Sequence, residues 1–192
     1  MRFFDDEPMR PSRSGADWEH HRKARQPHTG PAQDEVGVLA MSGFVLARSA
    51  DVAIALSGIT AFSDGLLFHV VVLFADEQRR ETLDWSLQEY SRSPGRFRLG
   101  VQLPNGVRAT TGTSDAPPLM TSDAEAALTM LSSATGPLRW QGDYWLWPLP
   151  EDGVMVLGCR WPDRAIPETL VQIDPAPLLS AAAVSRSVWE VE

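Results

Sequence analysis

The segment "DVAIALSGITAFSDGLLFHVVVLFA", residues 51–75, constrains the fold of this chain more than any other. Apolar residues alternate with small ones in its first half, which is typical of a strand with one buried face. Ser63-Asp64-Gly65 is a turn signal between two apolar runs. The segment therefore predicts a β-hairpin with Asp64-Gly65 as its two-residue turn.

Two residues inside this hairpin carry further expectations. Gly58 interrupts the first strand, which indicates a bulge or a bend. With the turn at Asp64-Gly65, Thr60 is expected opposite His69. A single histidine in a β-run is usually a packed, hydrogen-bonded residue, and Thr60 is a suitable partner for it.

A second hairpin is predicted in "RFRLGVQLPNGVRATT", turning at Asn105-Gly106. Counting apolar runs gives about seven strands, and no βαβ pattern repeats along the chain. These features favour an all-β fold, an antiparallel β-sandwich of immunoglobulin-like general architecture with one to three peripheral helices. The Cys–Trp–Cys signature of antibody domains is absent, and a flattened barrel is the alternative architecture.

The domain boundaries follow from composition. Residues 1–33 mix charge, Pro, Gly and Ser without periodicity, which predicts a flexible polar arm before a single domain over 34–192. Residues 111–137 are predicted as a Ser/Thr/Pro-rich insertion with a helix near "DAEAALTML". Residues 77–92 are either a short amphipathic helix or a long loop. A C-terminal helix is expected near 175–187, with Asp174-Pro175 as its cap and first residue.

Charge and cysteine usage exclude several classes of function. The formal net charge of −8 argues against a general nucleic-acid binder and against docking on an anionic membrane. Cys159 is the only cysteine, so an intrachain disulfide is impossible and a reducing compartment is expected. The longest apolar run, residues 66–75, is too short to span a bilayer as a helix. These features predict a cytoplasmic location.

Sequence motifs give no support for catalysis, a cofactor or a metal. The chain has no G-x-S-x-G, P-loop, H-E-x-x-H or C-x-x-C motif. His20 and His21 are adjacent, so they project in different directions and make a poor metal pair. Cys159 is expected to be a buried hydrophobe. An enzyme would require an enclosed pocket that joins His69 with Cys159 or with paired carboxylates.

The segment "RWQGDYWLWPLPEDGVMVLGCRW", residues 139–161, holds four of the seven tryptophans. It is predicted to form a hairpin that turns at Pro150–Gly153. In a two-residue turn, Trp147 would pair with Gly158 and Trp145 with Arg160. One face would belong to the core: Tyr144, Leu146, Pro148, Met155, Leu157, Cys159 and Trp161. The other face would carry Asp143, Trp145, Trp147, Leu149, Val154, Val156, Gly158 and Arg160.

This second face is the candidate interaction surface, formed by Asp143, Trp145, Trp147, Leu149, Val156 and Arg160. An apolar patch of this size needs a cover. The cover is the chain's own C-terminal helix or its 77–92 segment, a protein partner or second copy, or a small ligand, which is the least expected. The function predicted is a non-enzymatic protein-interaction or self-associating module. The alternative is a small-ligand or carbohydrate-binding module that uses exposed tryptophans.

Four segments carry a resemblance: "YWLWPLP", "RWPDRAIPE", "DVAIALSGITAFSDGLLF" and "FRLGVQLPNG". Together they look similar to a group of uncharacterised β-rich proteins from high-GC bacteria. The resemblance covers most of residues 36–189, and the tryptophan-rich motif is its most specific part. It implies a β-rich fold and brings no activity, cofactor or catalytic residue with it.

Overall fold

A computed structural model of the chain describes residues 26–76, 95–111 and 125–189. These residues form eleven strands, one α-helix and two 3-10 helices. The strands are β1 (Glu35–Val36), β2 (Val38–Arg48), β3 (Val52–Phe62), β4 (Gly65–Phe74), β5 (Arg98–Gln102), β6 (Arg108–Thr110), β7 (Ala127–Thr135), β8 (Arg139–Trp147), β9 (Met155–Trp161), β10 (Ile166–Ile173) and β11 (Arg186–Ser187). The α-helix, α1, is Ala176–Ala182, and the 3-10 helices are Pro27–Thr29 and Pro162–Arg164.

The strands form three sheets in which every pairing is antiparallel. The five-stranded sheet has the order β2-β3-β4-β8-β7, and the four-stranded sheet has the order β10-β9-β5-β6. β1 and β11 pair as a small third sheet. The prediction of a mainly antiparallel β protein is confirmed.

The first predicted hairpin is confirmed as β3 and β4, with a different turn. Phe62 pairs with Gly65, so the turn residues are Ser63 and Asp64 and not Asp64-Gly65. The predicted irregularity at Gly58 is present as a register shift between Leu56 and Gly58. It brings Gly58 opposite His69.

The second hairpin is confirmed as β5 and β6. The backbone N–H of Leu103 donates to the carbonyl of Val107, so the loop contains Asn105 and Gly106 as expected. Gly106 has a φ of +87°, a conformation that a glycine adopts without strain. The apolar side chains of this hairpin lie in the core: Phe97, Leu99, Val101 and Leu103.

One core joins the two large sheets. Buried side chains from both of them form a single cluster. Helix α1 closes one end of this core, with Leu178 fully buried, and it contacts β2 and β3. Asp174 accepts a hydrogen bond from the backbone N–H of Ala176 at 3.0 Å, in agreement with its predicted capping role. Because the chain turns into β11 after α1, the helix ends before the predicted residue 187.

Two predicted elements are wrong. The helix expected at "DAEAALTML" is contradicted from Ala127 onward, where the residues form the beginning of strand β7 and pair in register with β8. The tryptophan-rich hairpin does not form, because β8 pairs with β4 and β7 while β9 pairs with β5 and β10. The intervening link contains Pro148 and Pro150, which lack the N–H that a strand ladder requires. The link instead carries the chain from one sheet to the other.

The link between the sheets begins after Trp147 and is hydrogen-bonded to the β3–β4 turn. The peptide bond between Trp147 and Pro148 is cis. The backbone N–H of Leu149 donates to the carbonyl of Asp64 at 2.9 Å, which attaches the link to the β3–β4 turn. The predicted 77–92 segment lies outside the described residues, as do most of the arm and residues 112–124.

Candidate functional site

The structure does not bring the six predicted surface residues together. Asp143, Trp145 and Trp147 lie on the outer face of the five-stranded sheet, the face that points away from the shared core. Val156 and Arg160 lie on the outer face of the four-stranded sheet, and Leu149 lies in the link between them. The predicted face failed as a unit because its two strands belong to different sheets.

Trp145 is completely buried, although it lies on the outer face of the five-stranded sheet. Its indole N–H donates to the carbonyl of Pro27 at 2.8 Å. The ring of Phe62 meets it edge-on, with centroids 5.6 Å apart. Trp145 is therefore part of the protein's own packing, and it offers no anchor for a partner.

Trp147 is half-buried beside the same 3-10 helix. The His28 ring meets its indole edge-on at 6.1 Å between centroids. The cover over the tryptophan pair is thus the helix Pro27–Thr29, a segment that composition placed in the flexible arm. Of the two chain segments expected as covers, the C-terminal helix α1 contacts β2 and β3 instead, and the 77–92 segment lies outside the described residues.

A row of polar side chains crosses four strands next to this cover. The Thr60 hydroxyl lies 2.9 Å from Nε2 of His69, and Nδ1 of His69 lies 2.8 Å from Oδ1 of Asp143. The Ser132 hydroxyl donates to Oδ2 of the same carboxylate at 2.7 Å. Because an ionised carboxylate only accepts, Nδ1 is the donor toward Asp143, and in the neutral imidazole Nε2 is then the acceptor for the Thr60 hydroxyl. The expected Thr60–His69 contact exists, although Thr60 pairs with Leu67 across the strands.

The outer face of the four-stranded sheet carries a groove of about 500 Å³. Its centre is one cross-strand row, in which Leu170 pairs with Gly158, Gly158 with Gly100 and Gly100 with Thr110. The two middle positions of this row, on β9 and β5, are glycines and carry no side chain, while the two outer positions carry Leu170 and Thr110. This glycine pair creates the depression, because a Cβ at either position would point into it.

Two arginines lie at one end of the groove. Arg98 and Arg160 are directly opposite each other on β5 and β9. Within the three described ranges, no carboxylate forms a salt bridge with either of them. The Nε atom of Arg98 is buried without a hydrogen-bond partner. Burial lowers the pKa of the Arg98 guanidinium, and the positive charges of Arg160 and Arg96 lower it further.

The opposite end of the groove also carries a cation. Gln102 pairs with Arg108 on one side and with Val156 on the other. The Arg108 Nε donates to the Gln102 side-chain oxygen at 2.9 Å. The three arginines outnumber Glu168, the only carboxylate among the described residues that line the groove. The groove is positive on a chain whose formal net charge is −8.

Cys159 and His69, which an enzyme pocket was expected to join, lie on different sheets. Cys159 is buried in the core, as predicted, and burial raises the pKa of its thiol to about 11. His69 lies on the outer face of the other sheet. At neutral pH the thiol is protonated and shielded from substrates, so Cys159 is no nucleophile.

Among the residues that the structure describes, no group of three or more His, Cys, Asp and Glu is placed to hold a metal ion. The same residues include no helix that is both long and apolar enough to cross a membrane. Comparison with protein-family models, with curated proteins and with solved structures found no match to this chain.

Sequence reasoning missed Arg98, Arg108 and the glycine pair as components of one site. The missing information was the long-range pairing of β5 with β9, which brings Arg160 beside Arg98. A hint was present in the sequence, since "RLG" and "LGCR" each place a glycine two residues from an arginine. In a strand that spacing puts both residues on one face.

Proposed function

We propose that this chain is a binding module for an anionic ligand, and that the arginine groove is its binding site. The observation that supports this most strongly is the direct pairing of Arg98 with Arg160, neither of which forms a salt bridge with a carboxylate of the described residues, Glu168 included. Like charges directly opposite each other on a sheet are destabilising. An anion between the two guanidinium groups turns that repulsion into attraction and supplies an acceptor for the buried Nε of Arg98.

The chemistry of arginine narrows the ligand further. A guanidinium group presents a planar fork of donors that matches the oxygens of a carboxylate or a phosphate. The net charge of the chain repels anions at long range, so local contacts in the groove must supply the affinity. Binding is therefore expected to weaken as ionic strength rises.

This proposal is compatible with both predicted functions, a protein-interaction module and a small-ligand-binding module, and moves the binding surface. The tryptophan pair is replaced by a groove that retains only Val156 and Arg160 of the six predicted residues. A small organic acid and an acidic side chain of a protein partner share the same anionic group. Experiments with both kinds of ligand separate the two sources.

The test is calorimetric titration of the full chain with inorganic phosphate, with acetate and with a short polyglutamate peptide. Binding that is lost in both Arg98→Met and Arg160→Met supports the proposal, because methionine keeps the apolar stem and removes the charge. Arg139→Met is the matched control, since Arg139 is an exposed strand arginine opposite Leu73 on the other sheet. No binding of any of these anions, or equal loss in the control, contradicts the proposal.

A second candidate function rests on the Thr60–His69–Asp143 row, which has the connectivity of a nucleophile, a base and an orienting carboxylate. In this candidate, Thr60 Oγ1 attacks an ester carbonyl and its proton passes to Nε2 of His69. His69 then gives that proton to the leaving alcohol as the C–O bond of the ester breaks. Water attacks the acyl group on Thr60 while His69 accepts a water proton, and His69 returns this proton to Thr60 Oγ1 as the acid is released. This candidate ranks second because the same contacts also stabilise the sheet as ordinary cross-strand hydrogen bonds.

Hydrolysis of p-nitrophenyl acetate tests the second candidate. Turnover above that of free imidazole should fall at least about a hundredfold in Thr60→Val and in His69→Ala. Ser57→Ala is the control, because the Ser57 hydroxyl donates only to the backbone carbonyl of His69. A rate equal to that of imidazole, or an equal loss in the control, excludes this candidate.

Three finer expectations remain proposals. The immunoglobulin-like sandwich is supported by the single core and by the proximity of β2 to β10 and of β6 to β7. The cytoplasmic location is supported by the sequence alone. Membership of the β-rich group from high-GC bacteria is supported by the four segments that carry the resemblance.

A further inference from the structure

We infer that the groove takes a linear diacid, a small molecule with an anionic group at each end and an unbranched apolar middle. This inference depends on the proposed anion-binding function and specifies its ligand. It is based on the order of residues along the groove. Two arginines lie at one end, two glycines form the middle, and Arg108 lies at the other end.

The two charged ends have a defined separation. Arg98 and Gln102 are four residues apart on β5, and Arg160 and Val156 are four residues apart on β9. At the usual rise of a strand, the two rows lie roughly 13 Å apart. A single carboxylate or phosphate cannot bridge that distance, whereas an extended diacid can. One cavity contains both rows.

The middle of the groove suits an unbranched apolar chain. Its floor is the backbone of Gly100 and Gly158, whose N–H and C=O groups belong to the sheet. Leu170 flanks the floor on one side and Thr110 on the other. Val156 adds a half-buried apolar side chain at one end of the floor. No charged residue lies in this middle row, so a third anionic group on the ligand would have no cation beside it.

The far end is arranged for a second anion. Arg108 uses its Nε to contact the Gln102 oxygen, which leaves the terminal N–H groups of Arg108 and the amide N–H groups of Gln102 as donors. Both side chains line the cavity. The hydrogen bond between them holds these donors on the groove side.

The dimensions favour a small molecule over a protein segment. A volume of about 500 Å³ falls in the range of ligand pockets, which is roughly 300–1,000 Å³. The strands beneath the groove pair with each other, so a docked peptide would find no free backbone ladder on this face.

The experiment is a calorimetric length series on the full chain, from succinate to dodecanedioate, with the monocarboxylate of the same chain length beside each diacid. We expect one optimal length at which the diacid binds at least about tenfold more tightly than its monoacid. Arg108→Met should reduce diacid affinity to the monoacid level and leave monoacid affinity unchanged. Arg139→Met should change neither affinity.

The outcomes separate this inference from the proposed function. If monoacids bind through Arg98 and Arg160 and no diacid gains affinity at any length, the inference is overturned while the anion site stands. If no anion binds, or if binding is unaffected by Arg98→Met, the proposed function itself fails. If polyglutamate binds more than about tenfold tighter than every diacid, the ligand is a protein segment and the inference is overturned.

Discussion

The outer faces of the two large sheets differ in how their polar and apolar groups are satisfied. On the five-stranded sheet, Trp145 is buried beneath Pro27, and the Thr60–His69–Asp143 row forms its own hydrogen bonds. On the four-stranded sheet, Arg98 and Arg160 are paired with each other and a buried Nε has no acceptor. The first face is covered by a segment of the same chain, although Nε2 of His28 in that cover is also buried without a hydrogen-bond partner. The second departs from the rules of a stable sheet, and such departures are expected at functional sites.

Strand β9 shows the same contrast between neighbouring residues. Cys159 points into the core and is fully enclosed by apolar side chains. Arg160, the next residue, points into the groove. A single strand thus contributes one side chain to stability and one to the proposed binding site. Substitutions on the outer face of the five-stranded sheet should mainly reduce stability, and substitutions in the groove should mainly reduce anion binding.

The largest effect is expected for Trp145→Ala. Removal of a fully buried indole leaves a cavity between the sheet and the Pro27–Thr29 helix, and should lower the free energy of unfolding by about 3–5 kcal/mol. Trp147→Ala removes a half-buried ring and should cost only about 1 kcal/mol. Urea unfolding followed by circular dichroism measures both values. Equal costs for the two variants would mean that Trp145 is not the anchor of this face.

The next effect concerns the core that both faces share. Burial raises the pKa of the Cys159 thiol from its ordinary value of 9.0 to about 11. The folded state therefore retains a proton that the unfolded state has lost between these values. Stability from this group is complete below pH 9 and declines by up to about 3 kcal/mol as the pH rises to 11.

Unfolding of the wild type and of Cys159→Ala across pH 8 to 11 measures this decline. The variant should lack the part that belongs to the thiol, and the difference between the two proteins isolates it from other titrating groups. Parallel curves for the two proteins across this range would contradict the assignment. Native Cys159 should also react with a thiol reagent only after the protein is denatured.

Local pattern was sufficient to predict much of this fold. The existence of both hairpins, the turn at Asn105-Gly106, the register shift at Gly58, the Asp174 cap and the core role of Cys159 follow from short-range spacing along the chain, whereas the turn of the first hairpin lies one residue earlier than predicted. The face assignments of Tyr144 and Trp161 also hold, because alternation along a strand depends on the strand alone. What local pattern fixes is the face on which a side chain lies.

The identity of the neighbouring strand could not be predicted in the same way. Trp145 was expected beside Arg160, but it pairs with Leu67 and Thr129, and Arg160 pairs with Arg98. Two strands separated by a short loop usually pair, and here the proline-containing link overrides that tendency. The groove depends on these long-range pairings. The cover over Trp145 was missed for another reason, since Pro27 and His28 lie in a segment without periodicity.

A matched pair of glycine substitutions sharpens the comparison between the faces. A Cβ on Gly65 would lie 2.5 Å from the carbonyl oxygen of Leu146 and 2.5 Å from the Trp145 ring. Gly65→Ala should therefore lower the free energy of unfolding by about 1–3 kcal/mol. A Cβ on Gly100 would meet only the tip of the Thr110 side chain, at 3.0 Å, and atoms beyond 3.5 Å. Gly100→Ala should leave stability within about 1 kcal/mol and weaken anion binding by raising the groove floor. Equal destabilisation in the two variants would show that both faces are equally close-packed.

The smallest effect has the opposite sign. Arg98→Met removes one of two like charges that lie directly opposite each other, so the free energy of unfolding should rise by up to about 1 kcal/mol in low salt. The gain should shrink as salt screens the repulsion, while Arg139→Met, which lies opposite Leu73, should stay within about 0.5 kcal/mol of the wild type. Chemical unfolding in low and high salt measures both. If removal of Arg98 stabilises the free protein and abolishes anion binding, the arginine serves ligand binding and not stability. A loss of stability in Arg98→Met would instead mean that Arg98 stabilises the fold, as Trp145 does on the five-stranded sheet.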